Sequence, residues 1–136
     1  FIVTKEHVIF PIMPLTSSLE RAMGGGSLYA WDPTNNSYIG IMPRDGCSSD
    51  LRWFEGDPAY VFHPMNAYND GDKIICDVCE YPEAPLFPHA DGSKPDPTKS
   101  TAKLTRWTFD LNAISYSAKP RNEACREFNC VNTNWG

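Results

Sequence analysis

The chain has 136 residues, a net charge of −5 and a sequence pI near 5.1, and 41% of it is apolar. That length allows one domain with a core of its own, and its 12 Lys and Arg, scattered and outnumbered by 17 Asp and Glu, exclude a basic phosphate-binding face, so no nucleic-acid partner is expected. No stretch reaches the roughly eighteen apolar residues of a spanning helix, and Lys5 and Glu6 stand where a secretory signal would be apolar, so a soluble, cytoplasmic chain is expected.

Taken in chain order, β-branched and apolar runs occur at residues 7–13, 27–31, 38–42, 51–54, 60–62, 73–78 and 103–111. Clusters of Gly, Pro, Asn and Asp separate them, which is the pattern of an all-β meander. Between the first two runs, Ser17 followed by Glu20 forms a capping-box pattern and Gly24 supplies a stop, so a helix of two turns at most is predicted over 19–23. Gly24-Gly25-Gly26 permits a tight reversal. Turns are predicted at Asp32-Pro33-Thr34-Asn35-Asn36 and at Asn69-Asp70-Gly71-Asp72, where proline presets φ, glycine accepts positive φ and Asx side chains bond locally. Residues 82–99 hold five prolines among Asp, Gly and Ser, too many breakers for a strand. They are expected to form a surface excursion or lid, with a plain solvated loop as the ordinary outcome.

Five cysteines, Cys47, Cys76, Cys79, Cys125 and Cys130, are an odd number without the dense spacing of a small secreted scaffold, which points to a reducing compartment. Cys76-x-x-Cys79 with Cys125 and Cys130 raises the possibility of a zinc site. The first pair lies in a β-prone run, however, where an offset of three sends side chains to opposite faces, so buried inert thiols are the expectation. Neither a Gly-x-Ser-x-Gly elbow nor a phosphate-cradling glycine loop is present. His7, His63 and His89 lie 56 and 26 positions apart, which matches no local chelating spacing. Any metal site must therefore be assembled by the fold.

His63 has the most informative setting, Phe62-His63-Pro64-Met65-Asn66-Ala67-Tyr68, at the end of a β-prone run. Taken alone, such a histidine is ordinarily a satisfied core residue. Upstream stand Trp31-Asp32-Pro33, Pro43-Arg44-Asp45-Gly46 and Arg52-Trp53-Phe54-Glu55, in that order and at short intervals. With Phe62-His63 and Asn66-Ala67-Tyr68 this series resembles the carotenoid oxygenase family, in particular its lignostilbene dioxygenase-like branch, over residues 1–111.

The resemblance implies an all-β chain belonging to a seven-bladed β-propeller with iron on its axis. At about 40–45 residues per blade, the chain would supply roughly three blades of a partial β-propeller. The remaining blades would be missing from it, and an arc with uncovered faces should be unstable or associated by itself. The start at Phe1 and the stop after Gly136 fit the expectation of an internal segment.

The implied activity is that of a nonheme iron, Fe(2+), dioxygenase. It would cleave a carbon–carbon double bond of a small hydrophobic conjugated substrate (a stilbene, carotenoid or apocarotenoid) with dioxygen, giving two carbonyl products. In the family four histidines from different blades hold the metal, and His63 matches one of them through its Phe-His-x-x-Asn-Ala-Tyr setting. A second belongs to a His-x-Phe motif ahead of a Thr-x-x-x-x-Ile-Phe run; Phe1, Thr4, Ile9 and Phe10 match that text, which puts the histidine two residues before Phe1. His7 is read as structural and His89 as solvated. Metal-bound imidazoles are usually oriented by a carboxylate, and Glu127 takes that part by resemblance to a Glu-Phe-Pro-Arg motif, although Asn129 and Cys130 depart from it. Trp31, Trp53, Phe54, Tyr60 and Phe62 would pack as core or line a substrate tunnel. The alternative is a noncatalytic β-rich binding module that has lost its metal. Membrane contact and the choice among substrates are left open.

Overall fold

The computed structural model describes residues 1–113, together with the backbone of two short strands near the C-terminus, Arg126–Glu127 and Asn129–Asn132. In chain order the first elements are strands β1 (Ile2–Val3), β2 (His7–Ile12) and β3 (Leu15–Ser17), helix α1 (Leu19–Met23), and strands β4 (Tyr29–Trp31), β5 (Ser37–Pro43) and β6 (Arg52–Gly56). Strands β7 (Tyr60–Asp70), β8 (Lys73–Tyr81), β9 (Lys103–Asp110), β10 (Arg126–Glu127) and β11 (Asn129–Asn132) follow.

Two sheets of blade size result. The first has the order β1-β2-β5-β6-β10, antiparallel except where β10 joins β6 in parallel; the second is antiparallel throughout, in the order β11-β9-β8-β7. β3 and β4 form a separate two-stranded ribbon. The all-β expectation holds, and the estimate of roughly three blades becomes two sheets and this ribbon. The chain length is divided differently because residues 14–36 build the ribbon and helix α1, and residues 82–102 a further excursion, rather than a third blade-sized sheet.

Alternation explains the core. Ile9, Ile39, Ile41 and Phe54 of the first sheet meet Ile74, Cys76, Val78, Trp107 and Phe109 of the second, all of them buried. On β8 the residues Ile74, Cys76 and Val78 lie at period two, as one face of a strand requires. Phe54 and Phe109 join the sheets edge to face, with ring centroids 5.2 Å apart. The Trp107 indole N–H, buried at the same interface, donates to Glu80 Oε2 at 2.7 Å. Burial pushes the Glu80 carboxyl upward, and the indole hydrogen bond opposes that shift.

Local signals decide the connections. Asp32 Oδ1 accepts from the Thr34 backbone N–H at 3.1 Å and from its hydroxyl at 2.6 Å, which closes the expected Asx turn. Asp70 pairs with Lys73 across a two-residue loop in which Gly71 takes φ of +56°. Helix α1 has the expected bounds, but its cap is Ser18 rather than Ser17: Ser18 is extended and its hydroxyl accepts the Arg21 N–H. With Ser18 at the cap, Arg21 occupies the position a capping box gives to an acid, so no box forms.

Strand β7 is the largest departure from the sequence expectation. It was expected to stop near Phe62 and instead runs to Asp70, through Pro64. Pro64 is tolerated because β7 is the free edge of its sheet, where a missing N–H leaves no partner unsatisfied. Among the described residues no helix is long and apolar enough to cross a membrane.

Phe109→Ala removes the ring that joins the two sheets and is expected to cost about 3–5 kcal/mol, against a smaller loss for Phe109→Leu. Urea unfolding followed by tryptophan fluorescence measures both.

Candidate functional site

His63 lies on β7, opposite Cys79 of β8, and is exposed. The pairing around it is broken twice. Val61 faces Glu80 and His63 faces Cys79, so Phe62 is an extra residue; Pro64 faces Val78 and Asn66 faces Asp77, so Met65 is another. Such bulges bend a strand and re-aim its side chains. β7, the edge strand of its sheet, contacts β1, the edge strand of the first sheet.

An aromatic cluster adjoins the imidazole. Phe62 lies 6.3 Å from His63 between ring centroids, and Tyr60 and Tyr81 meet Phe62 edge to face at 4.7 and 5.5 Å. Trp31 and Phe87 extend the cluster through Tyr60, at 6.3 and 6.1 Å. Of the aromatics weighed from sequence, Trp31, Tyr60 and Phe62 are thus brought together, whereas Phe54 belongs to the inter-sheet core. Phe87, inside the proline-rich segment, gave no signal in the sequence because its neighbours read as loop.

That segment is a surface excursion, exposed at residues 90–94 and 97–99 and anchored at two places. Trp31 N–H donates to the Pro88 carbonyl at 2.9 Å and Ala90 N–H to the Trp31 carbonyl at 2.8 Å, which ties residues 88–90 to β4. The second anchor is Glu83, only 2% exposed, whose Oε1 accepts the Asp96 N–H. Its other oxygen stands 3.3 Å from His89 Nε2 and 3.5 Å from Lys99 Nζ. His89 is therefore half-buried beside a carboxylate rather than solvated, a contact across a loop that spacing alone does not reveal. A buried carboxylate persists only with such partners.

His7 is structural, as expected. Its Nδ1 lies 3.0 Å from Asn69 Nδ2, joining β2 of one sheet to β7 of the other. Burial lowers its pKa; the nearby Glu6 charge opposes this and Arg52 adds to it. His7 also lines a cavity of ≈ 340 Å³ with Ile41, Pro43, Arg52 and Leu111. This cavity is not at His63, since Asn69 lies six residues further along β7, on the order of 20 Å away at ~3.3 Å per residue.

The cysteines behave as the alternation requires. Cys76 is in the core, where burial pushes its thiol up to about 12, and Cys79 lies on the opposite face of β8, paired with His63. Cys125 lies outside the described residues, as does the Cys130 side chain. Glu127 has a described backbone in β10, beside Glu55 of β6, and its side chain lies outside the described residues. β10 is the edge of the first sheet away from β1.

Residues 1–135 match the family described as Retinal pigment epithelial membrane protein. The chain belongs to this family, the carotenoid oxygenases. Isoeugenol monooxygenase of Pseudomonas putida is 44% identical over 114 residues, which are 83% of this chain and 24% of that protein. Lignostilbene dioxygenase of Pseudomonas brassicacearum superposes with a TM-score of 0.78 at 33% identity, over 96% of this chain and 26% of that one. A cobalt-substituted Synechocystis apocarotenoid oxygenase gives 0.63 at 26% identity, over 83% of this chain and 24% of that one. The chain spans about a quarter of the length of these carotenoid oxygenases, and its two sheets form part of their β-propeller.

Two outcomes check this geometry. Glu83→Ala strips the anchor from the proline-rich segment and should raise tryptic cleavage after Lys99 by about tenfold or more, since a buried partner lost costs ~1–3 kcal/mol. For His7 the depressed pKa means that the unfolded state binds the proton more readily, so stability is retained above the ordinary value of 6.5 and declines as pH falls below it. His7→Gln should flatten that acid-side decline in a pH series of thermal melts.

Proposed function

We propose that this chain is part of a nonheme iron(II) oxygenase that cleaves a carbon–carbon double bond of a small conjugated apolar substrate with dioxygen, and that His63 is one ligand of its metal. The reading rests above all on an exposed imidazole on a free edge strand, beside the edge of the neighbouring sheet, in a family whose members include an isoeugenol monooxygenase and a lignostilbene dioxygenase. β1 contacts β7, and the chain just ahead of Phe1 leads into that contact. That is where the motif resemblance puts a second histidine.

The residues fit the metal as a shared centre. A neutral imidazole suits iron, and no group of three or more His, Cys, Asp or Glu ligands stands among the described residues, so His63 serves as one donor and other blades supply the rest. Bound there, iron would supply the activation of dioxygen. His63 holds its place at the edge, while Tyr60 and Phe87 give an apolar wall that excludes water and accepts a flat conjugated ligand. Glu127, by its motif resemblance, is the carboxylate proposed to orient a metal-bound imidazole. A cytoplasmic location accords with free thiols at Cys47, Cys76 and Cys79.

The test uses the full-length protein. Loaded with iron(II) and supplied with air, it should convert isoeugenol, a hydroxystilbene or an apocarotenoid into two carbonyl products, resolved by chromatography. His63→Ala should lower both iron retention and turnover by more than about 100-fold, beyond the effect of losing an outer partner. Full iron content in the variant, or an iron-loaded parent that cleaves none of the three substrates, would sink the reading.

A further inference from the structure

The bulge in β7 does something ordinary strand geometry forbids. In a regular strand Phe62 and His63 would project from opposite faces. Here their ring centroids are 6.3 Å apart with the planes inclined at 38°, so both rings lie on one side of the sheet. The cause is the broken register: Phe62 has no partner on β8, and the extra residue turns its side chain to the face that His63 shares with Cys79.

Phe62 is itself held. Tyr60 meets it edge to face at 4.7 Å and 74°, and Tyr81 at 5.5 Å and 86°. Tyr60 and Tyr81 are cross-strand partners at the start of the β7–β8 pair, and Tyr60 also contacts Trp31 and Phe87, which belong to the two anchored excursions. An exposed histidine on a free edge would otherwise sample several rotamers. Against a clamped ring it has fewer to lose when it takes up a metal, which is the physical content of preorganisation.

We propose that Phe62 is a positioning residue: it fixes the imidazole of His63 in the orientation that binds the metal. The inference rests on the reading of His63 as a metal ligand. Phe62 touches neither metal nor substrate in this account and acts only through His63.

The experiment uses the full-length protein loaded with cobalt(II), whose visible ligand-field absorption reports coordination geometry without any turnover. Phe62→Ala should weaken cobalt(II) affinity by about 10–100-fold, the range seen when partners that orient metal ligands are lost, and should alter the visible spectrum. Phe62→Leu should fall between, and Phe62→Tyr should restore both readouts. If the alanine variant does not fold, the leucine and tyrosine variants carry the test. Phe109→Leu is the control, since it loosens the core far from His63 and should lower the melting temperature with the spectrum unchanged. Phe62 variants that melt earlier yet keep the parental spectrum and an affinity within twofold would overturn the inference, provided that His63→Ala loses the metal. Parental cobalt affinity and spectrum in His63→Ala would instead overturn the metal-ligand reading itself.

Discussion

The constraint on which the candidate site depends is the interrupted pairing of β7 with β8. A strand in perfect register would alternate its side chains between the core and the opposite face, separating Phe62 from His63. Two extra residues, Phe62 and Met65, break that alternation on either side of the short paired stretch His63-Pro64. The break is possible because β7 is an edge strand. One flank pairs with β8 and the other has no partner strand among the described residues, so neither the bulges nor Pro64 disturb a second ladder there. The same free edge leaves the imidazole accessible.

The rest of the structure keeps this edge in place. Core residues at period two on β5, β8 and β9 hold the sheets face to face, and the Phe54–Phe109 contact ties them at the centre. His7 and Asn69 add a polar tie between β2 and the far end of β7. At the near end the two excursions are not loose ornaments. Trp31 exchanges backbone hydrogen bonds with Pro88 and Ala90, Glu83 gathers Asp96, His89 and Lys99, and the aromatic cluster connects both excursions to Phe62. The exposed His63 therefore stands on a sheet edge beside a ring that is itself held from two sides. Its surroundings are apolar rings, which add shape without adding charge.

A single imidazole is a partial site, and membership in a family whose matched members are about four times as long explains why. In a propeller each blade contributes its inner strand to the axis, so ligands far apart in sequence converge only when the ring is assembled. On the proposed reading, a two-sheet segment contributes one donor, His63, and part of the wall around it.

Much was legible from local chemistry. Strand positions followed from β-branched runs and turn residues, α1 from its serine and glycine boundaries, and the opposite facing of Cys76 and Cys79 from strand alternation. The motif series placed the chain in its family and singled out His63. Local signals failed where an interaction spans distant residues. The extension of β7 past Pro64 depends on its being an edge, the anchoring of residues 82–99 on Glu83 and Trp31 meeting them, and the half-burial of His89 on a carboxylate six positions away across a loop. The sequence by itself determined the all-β class, the family and the identity of the candidate ligand, because these rest on side-chain type and short-range order. Only the tertiary structure decided which strand is an edge, where its register breaks and which rings brace the imidazole, because strand pairing joins residues that no local pattern connects.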